Sequence, residues 1–125
     1  MGLFDGLLGN GTEINHDEVK KTLNGVLLPN EPIDLAYKLV RDLIVFTDKR
    51  LIIVDKQSLS GKKVSYKTIP FKSISRFSVE TAGHFDLDAE LHIFISSAEI
   101  PTETLQFKKD KSITDIQQAL AIAIL

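Results

Sequence analysis

Alternation of apolar and polar side chains runs through most of the chain and sets its predicted elements. Ile33, Leu35, Tyr37 and Leu39 fall on one side of a strand, with Asp34, Ala36, Lys38 and Val40 on the other. Leu43 to Thr47 and Leu51 to Asp55 are apolar on both sides, which predicts two strands covered from both faces. Val64 and Tyr66 alternate with Lys63, Ser65 and Lys67, a phase that turns Tyr66 inward. Pro70 interrupts the alternation because it cannot donate to a ladder, and Phe77 and Val79 resume it. After Gly83, Leu87, Ala89, Leu91, Ile93 and Ile95 share one face, opposed by Asp86, Asp88, Glu90, His92 and Phe94. Pro101 marks a turn, and Leu105 with Phe107 supply a last strand.

Helical spacing occurs at two places. His16 to Asn24 predicts a short helix, capped by Asn15 or Asp17, with Val19 and Leu23 four apart on one face. Gly25 ends it, and Pro29-Asn30-Glu31-Pro32 is a turn. Residues 112–125 predict a second helix, capped by Ser112 or Thr114, with Asp115 suited to its positive end. Ile116, Ala119, Leu120, Ala123 and Ile124 form one apolar stripe along it, which leaves Ile122 and Leu125 off that face. No repeat, low-complexity tract or linker divides the chain. The pattern predicts one domain over 1–125, of class α+β and mainly β, with residues 1–12 as an apolar N-terminal segment.

Composition adds exclusions. The chain has 125 residues, 43% hydrophobic and 26% charged, and so can bury a core without staples. It has no cysteine, which removes disulfides, thiolate metal sites and cysteine nucleophiles. No apolar run approaches the ~18 residues that a membrane span needs. Met1 to Gly9 is apolar but lacks the basic residues of an export signal, and Gly6 stands where myristoylation at Gly2 would want Ser or Thr. A cytoplasmic location is expected, with peripheral membrane attachment as the alternative.

Charge is unevenly placed. From Lys49 to Arg76 there are eight basic residues against the single acid Asp55, a balance of +7. From Phe77 to Thr104 there are six acids and no Lys or Arg, a balance of −6. Segregation of this kind can orient a partner or a second copy of the chain.

Four runs carry a family resemblance: Phe46-Thr47-Asp48-Lys49-Arg50-Leu51, Gly61-Lys62-Lys63-Val64, Ile69-Pro70-Phe71-Lys72-Ser73-Ile74 and Phe77-Ser78-Val79-Glu80-Thr81-Ala82-Gly83. Asp86-Leu87-Asp88-Ala89-Glu90-Leu91 follows them. In this order they resemble the bacterial pleckstrin-homology (PH) family of small stand-alone domains. The resemblance implies a PH-like open barrel or orthogonal sandwich of about seven antiparallel strands, capped by the C-terminal helix. It also implies assembly into homo-oligomeric rings. Eukaryotic PH domains that bind phosphoinositides carry a basic loop between their first two strands. Here that connection is Val40-Arg41-Asp42 with Lys38 nearby, and the tryptophan usual in their last helix is missing.

Candidate chemistry is sparse. His84, Asp86, Asp88, Glu90 and His92 project to one strand face, but same-face side chains are spaced by ~6.6–7 Å and a solvated polar face accounts for them without a metal. No catalytic motif and no phosphate-cradling glycine loop is present, so neither enzyme activity nor a cofactor is expected. Nucleic-acid binding is not expected from an acidic chain. The favoured reading is a scaffold whose partner is a copy of itself, or another protein, through Leu3, Phe4, Leu7, Leu8, Ile122 and Leu125. The alternative is a peripheral membrane or anionic-ligand module using Lys56, Lys62, Lys63 and Lys67.

Overall fold

The structure is a computed structural model and describes residues 15–39, 42–56, 63–81, 89–107 and 112–125. The first described element is helix α1, His16–Thr22. The Asn15 side chain caps it by accepting from the Asp17 N–H at 2.7 Å, and Asp17 and Glu18 sit in its first turn, where the helix dipole favours acids. Gly25, at φ +88°, then turns the chain back through a left-handed conformation that suits glycine.

Four strands follow as a meander: β1 Ile33–Lys38, β2 Asp42–Thr47, β3 Arg50–Lys56 and β4 Val64–Pro70, hydrogen-bonded in the order β1-β2-β3-β4. A 3₁₀ turn, Phe71–Ser73, leads into a second sheet of β5 Ile74–Thr81, β6 Ala89–Ile95 and β7 Glu103–Phe107, again in sequence order. Every described pairing is antiparallel, and among the described residues no ladder joins the two sheets. The expected seven strands are all present, as an open sandwich.

Two hydrophobic cores result among the described residues. The larger fills the space between the sheets with Leu35, Ile44, Phe46, Leu51, Ile53, Leu91, Ile93 and Leu105. Helix α2, Ser112–Ile124, seats Ile116, Ala119 and Leu120 in it with no exposed surface, and Ala123 and Ile124 pack at its margin. The Tyr37 hydroxyl donates to Asp115 at 3.4 Å, tying the start of α2 to β1. The smaller core lies on the other side of the first sheet, where Val19 and Leu23 cover Ala36, Val45, Ile52 and Val54. Strands β2 and β3 therefore alternate their side chains between two cores, as their doubly apolar pattern predicts.

One expectation is overturned. Tyr66 does not point inward: it stands opposite Val54 on the outer side of edge strand β4 and is 46% exposed. Lys67 takes the inward position instead, because Glu103 of β7 reaches across the sandwich to pair with it at 3.0 Å. A buried-side lysine is tolerated when a carboxylate meets it and the stem lies along apolar neighbours.

Candidate functional site

The hairpin between β2 and β3 organises one end of the molecule. The buried Thr47 hydroxyl accepts from the Lys49 and Arg50 N–H groups at 3.2 and 3.1 Å and closes the turn around Asp48 and Lys49. Arg50 then binds Glu31 with both arms of its guanidinium: Nε donates to Oε2 at 2.8 Å and Nη2 to Oε1 at 2.7 Å. Its remaining donors reach the Val26 carbonyl at 2.7 Å and the Thr68 hydroxyl at 3.0 Å. The Glu31 side chain is only 3% exposed. One arginine thus pins the α1–β1 turn against β3 and β4. Sequence reasoning placed Glu31 in a turn but not in this pair.

The Arg50 hydrogen bonds hold the Glu31 carboxyl down at about 2, against an ordinary 4.5, although burial alone would raise it. Between those two values the unfolded chain binds more protons than the folded one, so stability rises with pH there. The contribution is fully present above pH 4.5 and is lost as pH falls toward 2, on the order of 3 kcal/mol in all. Urea titrations from pH 5 to 2 should show this slope in the native chain and its loss in Glu31→Gln.

Beside this hairpin lies a groove of about 610 Å³, lined by the apolar Phe71, Ile74, Ala123 and Ile124 and by the charged Lys49, Lys72 and Asp48. Of the residues proposed from the sequence for self-assembly, Ile122 and Leu125 lie at this end of α2, half-exposed and 99% exposed respectively. Leu3, Phe4, Leu7 and Leu8 lie outside the described residues.

The opposite end of the β2–β3 hairpin opens as a polar mouth between the sheets, about 160 Å³ in volume and lined by Asp42, Asp55, Lys67, Glu103, Thr104 and Gln106. The buried Oδ1 of Asp55 meets no donor among the described residues. Of the lysines considered for anions, Lys67 is engaged by Glu103, and Lys63 is exposed on the strand's approach. Lys62 and the side chain of Lys56 lie outside what the structure describes. Carboxylates at this mouth oppose an anion rather than attract one.

The outer face of the second sheet carries two acids among the described residues, Glu80 and Glu90. Glu80 faces Glu90 directly across β5 and β6, and His92 lies two residues beyond Glu90. His84, Asp86 and Asp88, which the sequence places in the same polar face, lie outside the described residues. Among the described residues no helix is long and apolar enough to cross a membrane.

Two meander sheets enclosing a core, with a C-terminal helix seated between them, define a pleckstrin-homology sandwich. The family model described as "Bacterial PH domain" matches residues 2–124, and the chain belongs to that family. It is 61% identical to the uncharacterised protein YjqA of Bacillus subtilis (strain 168) over 121 residues, covering 97% of each. It superposes on the PH domain from Shewanella amazonensis SB2B with a TM-score of 0.80 at 47% identity, covering 99% of both chains. A pleckstrin-homology protein from Shewanella loihica PV-4 gives 0.77 at 46% identity, covering 94% of this chain and all of that one.

Proposed function

We propose that this chain is a non-catalytic interaction scaffold that assembles with copies of itself, head to tail, into a closed ring. The observation that carries this reading is the C-terminal end of α2. One side of the helix is sealed in the core, while Ile122 and Leu125 face outward beside the groove that Lys49 and Lys72 help to line. Among the described acids of the segment 77–104, Glu80 and Glu90 lie on the outer face of the other sheet, while Glu103 is paired with Lys67. A copy's acidic face complements the two groove lysines, whereas a two-fold contact of either surface with itself would oppose like charges. Unlike surfaces in contact make rings when the rotation per subunit closes. Charge sets orientation, and apolar area supplies most of the affinity. Leu3, Phe4, Leu7 and Leu8 would add to that area.

Sedimentation tests the reading. The intact chain should form one closed species whose size does not grow with concentration. Ile122→Glu/Leu125→Glu should shift it to monomer without altering the fold. A version starting at Thr12 should weaken it, and so should Lys49→Glu/Lys72→Glu. A monomer at tens of micromolar for the intact chain overturns the proposal. Vesicles of anionic lipid separate it from the membrane alternative, since saturable binding abolished by Lys63→Glu would favour the latter.

A further inference from the structure

The cluster on the outer face of the second sheet is not used by the assembly proposal beyond its sign. Glu80 and Glu90 are direct cross-strand partners, and Ser78 is the partner of His92. Like charges directly opposed across an antiparallel pair are destabilising. No Lys or Arg occurs from Phe77 to Thr104 to relieve them, and the β7 partners of Glu90 and His92 are the neutral Gln106 and Thr104. What reaches the two carboxylates is an imidazole. His92 Nε2 lies 3.1 Å from Glu90 Oε1 and 4.0 Å from Glu80 Oε2.

One donor atom from each of the three residues lies within 4.8 Å of the other two. Three ligands on one tetrahedral zinc-like ion, with bonds of about 2.1 Å, stand about 3.4 Å from one another. From separations of at most 4.8 Å, side-chain shifts that close the widest pair by up to about 1.4 Å therefore bring all three onto one ion. The carboxylates are free to make them, since the Glu80 side chain is 67% exposed, while that of His92 is held at 16%. We propose that Glu80, Glu90 and His92 form a surface site for one divalent transition-metal ion of the zinc or nickel class. An imidazole nitrogen with two carboxylate oxygens selects such an ion over calcium or magnesium, which take oxygen ligands in larger number. The two strands fix the ligand directions, and the bound ion cancels the repulsion of the opposed glutamates. Three protein ligands leave a coordination position open to solvent.

Isothermal titration of the full chain, stripped with chelator and desalted, tests this with zinc chloride, nickel chloride and magnesium chloride in separate runs. Zinc or nickel should bind saturably at one ion per chain and raise the melting temperature. His92→Asn should weaken binding at least about tenfold, and Glu80→Gln at least about fivefold. Glu80 is largely exposed, so its variant keeps the fold and reports the site even where His92→Asn does not fold. His16→Asn and His84→Asn should bind as the native chain does. The proposal is overturned by an absence of saturable zinc and nickel binding up to about 1 mM. It is equally overturned by binding indifferent to both site variants, by loss of binding with His16 or His84 instead, or by equal saturation with magnesium.

Discussion

Arg50→Met is expected to cost about 3–5 kcal/mol, the largest single effect predicted for a charged residue in this chain. The change keeps an apolar stem but leaves the Glu31 carboxylate buried at 3% exposure without its bidentate partner. It also strips the Val26 carbonyl and the Thr68 hydroxyl of a donor each. Arg50→Lys should recover little, because an ammonium cannot match both oxygens with a rigid fork. The double variant Arg50→Met/Glu31→Leu is the decisive measurement. Removing both charges relieves the uncompensated burial, so it should be more stable than Arg50→Met alone. Urea denaturation at pH 7 gives all four values, and a double variant no better than the single would show that the pair is not what Arg50 supplies.

Leu120→Ala should cost about 2–5 kcal/mol, with a fall in Tm on the order of 10 °C. Leu120 has no exposed surface and sits with Ile116 and Ala119 among residues of both sheets, so the space it vacates cannot be refilled by solvent-side movement. Gln118→Ala, on the exposed side of the same helix, should stay within about 0.5 kcal/mol. Thermal unfolding of the two variants side by side checks the assignment. Equal melting temperatures would mean that α2 is not a structural plug.

Much of this fold is legible in the sequence because burial here follows simple periods. The doubly apolar runs of β2 and β3 match a sheet lying between two cores, and the stripe of α2 matches the residues sealed beneath it. The same helical phase left Ile122 and Leu125 outside, where the structure finds them exposed. What was not legible depended on partners distant in the chain. Lys67 faces inward, and Tyr66 outward, because a carboxylate waits on another sheet 36 residues away. Glu31 and Arg50 lie 19 residues apart, and nothing in either local pattern names the other. Glu80 meets Glu90 only through the register of the β5–β6 pairing, which neither local pattern states.

Strands β2 and β3 pose a problem of phase. In an ordinary half-buried strand, a slip of one residue throws every apolar side chain into water, and that penalty locks the pairing. Here Ile44 and Val45, or Ile52 and Ile53, could exchange cores and remain covered. Greasiness alone is a poor ruler for this hairpin. The ruler is the polar stitch at its tip, where the Thr47 hydroxyl measures the span to the Lys49 and Arg50 amides and Arg50 reaches a fixed carboxylate beyond. The run Phe46-Thr47-Asp48-Lys49-Arg50 is accordingly an alignment mark: it tells two interchangeable strands which of their neighbouring residues belongs to which side.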